Sequence, residues 1–192
     1  VTSLIAGCDQ PVPQQPVDGE DTPATIDSLT ENSDRADGMF ALFTDRETGE
    51  VRILLDPEDL GTEFIYGSVV HDGPVDAGFF RGEYRPWLGE GIVRIKRQVW
   101  QVEFIRETTA YSVDTHSAVA DSVFANMSPA VLAVADILAE DEDTGALLID
   151  AGPLFLSESF TQLKPAADPE ADPENVFDPG ALSEEKTRFD RV

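Results

Sequence analysis

Residues 78–107, GFFRGEYRPWLGEGIVRIKRQVWQVEFIRE, constrain the fold more than any other stretch. Val93 and Ile95 alternate with Arg94 and Lys96. Trp100, Val102 and Phe104 alternate with Gln101 and Glu103. A period of two in β-branched and aromatic residues belongs to half-buried strands, because successive side chains on a strand point to opposite faces of the sheet. The pattern predicts the central ribbon of a sheet, with its bulky side chains turned into a core. The stretch holds both tryptophans, Trp87 and Trp100, and six of the thirteen basic residues (Arg81, Arg85, Arg94, Lys96, Arg97, Arg106). The cations are expected to face solvent or nearby carboxylates.

The rest of the chain is strongly acidic. Its 38 acidic residues outweigh 13 basic ones, for a formal net charge of −25 over 192 residues. Such a charge argues against nucleic acid as a partner, since phosphate binding needs a basic footprint, and against attraction to an anionic membrane surface. Its ordinary consequence is solubility. The length suits one domain with tails. A single cysteine, Cys8, allows no internal disulfide. No apolar run approaches the roughly 20 residues of a membrane-spanning helix.

Leu4, Ile5, Ala6, Gly7 and Cys8 resemble the end of a bacterial lipoprotein signal peptide, and residues 1–8 are expected to be a truncated one. The small residues would let an extended backbone enter a peptidase cleft, and the Cys8 thiol would be the acylation handle. Asp9 after the cysteine resembles an inner-membrane retention signal. Residues 9–37, rich in Pro, Gln, Asp and Thr, carry too little apolar surface to offset their ordering entropy and predict a flexible acidic tether. A short helix in which Ile26 and Leu29 touch the domain is compatible with that stretch.

The folded module is expected over 38–192. MFALFT and VRILLD flank a charged turn, 45–49, and predict a β-hairpin. Phe40 and Leu42 would share one face, and Val51, Ile53 and Leu55 one face of the partner strand. PEDLG predicts a turn or a single helical turn, and EFIYGSVV a third strand. Residues 117–125 predict a short helix capped by Asp114, Thr115 or Ser117, with Val119, Val123 and Phe124 on its buried face. VLAVADILAE fits helix or strand by periodicity. The turn DEDTG after it, and the resemblance below, favour a strand paired with ALLIDAG. Residues 153–163 suggest another short helix, followed by a Pro- and Asp-rich loop. KTRFDRV reads as a strand beginning, so more chain is expected past Val192. The whole predicts an α+β, β-rich architecture, mainly an antiparallel twisted sheet or partly closed sandwich of hairpins, with one or two short helices.

The run MFALFTDRETGEVRILLDPEDLGTEFIYGSVV resembles the opening of the N-terminal module of large bacterial zinc-dependent, metzincin-like metalloproteases. There an aromatic F-x-L-[FY] strand, a D-x-x-T-G turn and an L-G-x-[ED]-F segment follow one another. Here these are Phe40 to Phe43, Asp45 to Gly49, and Leu60 to Phe64. FFRGEYRPWLGEGIVRIKRQVWQVEFIRE is similar to the family's Arg-Gly step and Val-Arg-Phe hairpin, and ADSVF followed by residues 132–150 supplies a third match. The resemblance implies a non-catalytic accessory module of a lipid-anchored, periplasm-facing protease. Zinc would sit in the downstream catalytic domain rather than in this chain. That domain, and the membrane through Cys8, would be its partners. A free-standing periplasmic binding lipoprotein is the alternative, and a small hydrolase a third reading.

Catalytic patterns are weak. His71 and His116 are the only histidines, with no His-Glu-x-x-His between them. Ser117, Ser122 and Ser128 lie near His116 without a G-x-S-x-G elbow. Carboxylate pairs are uninformative among 38 acids. Asp168, Asp172 and Asp178 lack the ligand order of a calcium loop. The glycines at 73, 78, 82, 89 and 91 suit turns and bulges rather than a phosphate cradle. The candidate docking or ligand surface is therefore aromatic and cationic, formed by Phe80, Arg81, Tyr84, Trp87 and Trp100, with Phe79 beside them.

Overall fold

The structure, a computed structural model, describes residues 24–73, 79–84, 89–109, 114, 116–126, 129–161, 183, 186–190 and 192. Eight antiparallel strands form one curled sheet in the order β1-β2-β3-β8-β7-β6-β5-β4. They are β1 (Ser33–Ala36), β2 (Ala41–Asp45), β3 (Val51–Leu55), β4 (Glu63–Gly67), β5 (Glu90–Arg97), β6 (Gln101–Glu107), β7 (Ala130–Glu140) and β8 (Leu147–Asp150). Among the described residues three short α-helices accompany them: α1 (Ile26–Thr30), α2 (Ala120–Asn126) and α3 (Gly152–Phe155). The β-rich, mainly antiparallel architecture expected from the alternation is the one found.

The expected hairpins form where their turn chemistry dictates. Between β2 and β3 the Asp45 carboxylate accepts the backbone N–H groups of Glu47 and Thr48, both at 2.9 Å. Gly49 closes the turn with φ +74°, a conformation that disfavours any side chain. The turn between β7 and β8 repeats this arrangement: the Asp141 carboxylate accepts from Asp143 (2.9 Å) and Thr144 (3.0 Å), and Gly145 has φ +76°. A shift of 96 positions carries Asp45 to Asp141, Gly49 to Gly145 and Ile53 to Ile149. Because Ile53 pairs directly with Ile149 across β3 and β8, the two hairpins stand about an approximate two-fold axis through that pair. Their turns therefore lie at opposite ends of the sheet.

The inner face carries the main core. Val51, Ile53 and Leu55 of β3, Val93 and Ile95 of β5, Val102 and Phe104 of β6, and Leu147 and Ile149 of β8 pack together there with Leu154 of α3 and Phe160. The outer face of β2, β3 and β8 carries a second cluster, Phe43, Leu148 and Ala139, roofed by Ile26 and Leu29 of α1. β7 changes face on its way. Phe104 pairs with Ala133 and Ile105 with Val131, which leaves Leu132 as an extra residue. Further along, Ile149 pairs with Ile137 and Leu148 with Ala139, which leaves Leu138 extra. Each bulge adds bend and twist, and the second turns Ala139 outward after the inward-facing Ile137. The curl brings the two arms of the sheet together: Phe40, just before β2, meets Phe64 of β4.

Several expectations are corrected. The tether predicted over 9–37 gives way to folded structure by Ile26. β1 was hidden because Ser-Asp-Arg-Ala shows no apolar alternation; its backbone simply completes β2 as an edge strand. The β5–β6 ribbon is not central. β8 and β7 occupy the middle of the sheet, which is why Leu147, Leu148 and Ile149 are all fully buried. VLAVADILAE is strand β7, paired with β8 as expected. Among the described side chains of α2, Ala120 is buried and Val123 partly so, whereas Val119, just before the helix, is 61% exposed; the Phe124 side chain lies outside the described ones.

Candidate functional site

The loop that was expected to carry recognition extends the β4 end of the sheet. Val69 bridges Tyr84 in antiparallel fashion, the N–H of Val70 reaches the Glu83 carbonyl (3.0 Å), and the N–H of Gly82 reaches the Val70 carbonyl (2.7 Å). Gly82 turns at φ +77°, and the Phe80 N–H donates to the Glu83 carboxylate at 3.1 Å. This tight turn pushes side chains outward. Phe80 and Tyr84 are each about half exposed, Arg81 is exposed, and Tyr84 lies over Gly67. Trp87 and Cys8 lie outside the described residues, as do Arg85, Gly78, Thr115, Ser128 and residues 162–182, with Asp168, Asp172 and Asp178 among them.

Trp100 does not join this cluster. It sits at the β5–β6 turn, 80% exposed, at the far end of β5 from Tyr84. Eight residues of strand separate the two ends, roughly 25 Å at the usual rise. The alternation that buries Val102 and Phe104 ends one step before Trp100, because the chain has already begun to turn there. The proposed surface is accordingly two separate aromatic patches, one at each end of the ribbon.

Two arginines of the ribbon, Arg94 and Arg97, are engaged with carboxylates. Arg94 bridges Glu63 (2.5 Å) and Glu107 (2.6 Å) across three strands. Arg97 makes a two-pronged contact with both oxygens of Glu140, at 2.6 and 2.7 Å. That hydrogen bonding holds the Glu140 carboxyl below its ordinary range and raises Arg97. Arg106 donates to the Glu90 carbonyl at 3.2 Å. No local pattern announces the Arg97–Glu140 clamp, whose partners are 43 positions apart.

His71 and His116 are both exposed, and the Asp114 carboxylate is taken up by the His116 backbone N–H at 2.9 Å. Among the described residues the Ser117 hydroxyl has no hydrogen-bond partner, His116 included. Among the described residues no three His, Cys, Asp or Glu side chains converge as a metal site. No described helix is long and apolar enough to cross a membrane. The glycines serve tight geometry. A Cβ on Gly89 would stand 1.8 Å from the Phe160 carbonyl oxygen, and one on Gly73 2.5 Å from Phe79 Cβ. Phe160 fills the inner face between Tyr66 and Phe104, with centroids 5.1 and 5.7 Å away, and the neighbouring Thr161 hydroxyl shares a 2.7 Å hydrogen bond with Ser68.

Comparison with family models, curated proteins and solved structures finds no match to this chain.

Proposed function

We propose that this chain is the non-catalytic N-terminal accessory module of a lipid-anchored bacterial zinc-dependent metalloprotease. It is held at the membrane through Cys8, faces the periplasm and packs on a protease domain further along the same polypeptide. As part of this reading the module belongs to the α+β class, its sheet closing into a partly closed sandwich. What supports the reading is that the residues carrying the resemblance stand at positions the sheet requires. Asp45 caps its own turn, Gly49 takes positive φ, and Gly61, at φ +85°, donates its N–H to the Ile95 carbonyl at 2.7 Å and so starts β4 beside β5. A signature made of such residues is a signature of the fold.

The test is the coding sequence beyond Val192 together with deletion of the module. A downstream His-Glu-x-x-His, with proteolysis or secretion of active protease reduced on deletion, is expected. An immediate stop codon would overturn the proposal and leave the free-standing binding lipoprotein. That second reading draws on the half-exposed Phe80 and Tyr84, four positions apart on one loop.

A further inference from the structure

Val99 and Trp100 form the apex of the β5–β6 hairpin, 71% and 80% exposed. Short hairpin turns favour Asn, Asp and Gly, which accept positive φ, because such turns match the twist of the strands. Here a β-branched residue and a tryptophan occupy the apex, and neither has positive φ. Local turn preference and water both disfavour this choice, and such a conflict is characteristic of a functional position.

The apex is rigidly mounted. The Gln98 N–H donates to the Gln101 carbonyl (2.7 Å), and the Trp100 carbonyl accepts the N–H of Ile137 (3.1 Å). The Gln98 side-chain amide holds Glu103 and that of Gln101 holds Asp136, both at 2.9 Å. Arg97 clamps Glu140. Those contacts leave carboxylates around the base of the tip, and Glu140 leads directly into the exposed acidic turn with Glu142 and Asp143. Arg97, at the end of β5, is neutralised by Glu140.

We infer that this tip docks a Lys- or Arg-rich polypeptide segment, with the Trp100 ring as its anchor and the surrounding carboxylates as its electrostatic complement. An indole face receives a guanidinium or ammonium as well as its aliphatic stem, and exposed, pre-positioned tryptophans are the residues that dominate protein interfaces. An anionic bilayer is disfavoured by the same carboxylates. The inference stands independently of the protease reading.

The test uses the folded chain and a synthetic twelve-residue peptide of alternating Arg and Ala, followed by NMR. The chain has two tryptophans, so W100A assigns the Trp100 indole signal. The peptide is expected to shift that signal. W100A should weaken binding about tenfold, whereas W100F, which keeps a ring, should retain most of it. E142Q/D143N should weaken binding several-fold, while E47Q/E50Q, which removes the same charge at the opposite end of the sheet, should change it less than about twofold. Equal loss from the two charge variants, or unchanged binding by W100A, would reduce the effect to attraction between a polycation and an acidic protein and overturn the inference. So would a Trp100 signal that responds to phosphatidylcholine vesicles and not to the peptide.

Discussion

The rings of Phe40 and Phe64 stand 5.0 Å apart, tilted by 58°, although one precedes β2 and the other belongs to β4. Five strands lie between β2 and β4 in the sheet order, so this contact measures how far the sheet has curled. Removing either ring is expected to cost about 2 kcal/mol. The double variant F40A/F64A should cost about 1 kcal/mol less than the sum of the single variants, the coupling typical of an aromatic pair. Urea unfolding of the four proteins measures it, and strict additivity would mean that the arms do not touch in solution.

Trp100 and Val102 sit two positions apart with opposite surroundings. W100A should leave stability within about 0.5 kcal/mol, as for an exposed side chain. V102A, at a fully buried site, should cost about 2 kcal/mol. A large loss in W100A would place the indole in the core after all.

Gly82 and Gly89 both have positive φ but differ in what surrounds them. Around Gly82 an added Cβ meets nothing within 4 Å, so G82A should cost only about 1 kcal/mol of backbone strain. G89A must also displace the Phe160 backbone and with it the ring between Tyr66 and Phe104. Its cost should be about 3 kcal/mol or more, with loss of the near-ultraviolet aromatic signal. Equal costs would show that Phe160 is not seated there.

Asp45 and Asp141 accept backbone N–H groups from their own turns, and these bonds hold both carboxyls below the ordinary 3.8. A carboxyl depressed in the folded state stabilises it fully above its unfolded value, and that contribution is lost as pH falls through the folded value. D45N and D141N should therefore be less stable than the unmodified protein at neutral pH, with the difference shrinking as the pH drops below 3.8. Thermal melts across that range test this. A gap independent of pH would mean that the charge plays no part.

Legibility tracked locality. Val51, Ile53 and Leu55, or Val93 and Ile95, announce their strands because each alternates within a few positions. Asp45 and Asp141 announce turns because a short side chain bonds to backbone two and three residues on. β1 carried no such signal, since an edge strand needs only backbone bonds and Ser33–Ala36 exposes most of its side chains. Trp100 misled because alternation does not mark where a strand stops. Of the recognition surface, the half-exposed Phe80 and Tyr84 were legible as aromatic residues in a Gly-rich loop. Their separation from Trp100 depends on the length of β5, and the clamp of Arg97 by Glu140 depends on tertiary structure.

Every strand pairing except one joins neighbours in the sequence: β1 to β3 make one meander and β4 to β8 another. The exception, β3 against β8, brings together Ile53 and Ile149. Each meander can zip up by closing loops of at most 22 residues, but this seam must close a loop of nearly a hundred residues before its contacts give any return. The seam is then the slow step of refolding. Trimming Ile53 or Ile149 should retard folding itself, while equal damage to the Phe40–Phe64 contact, made only once the joined sheet has curled, should mainly hasten unfolding. An unjoined pair of meanders would expose the bare edges of β3 and β8, strands rich in Val, Ile and Leu, and the protein is most prone to aggregate in the interval before they meet.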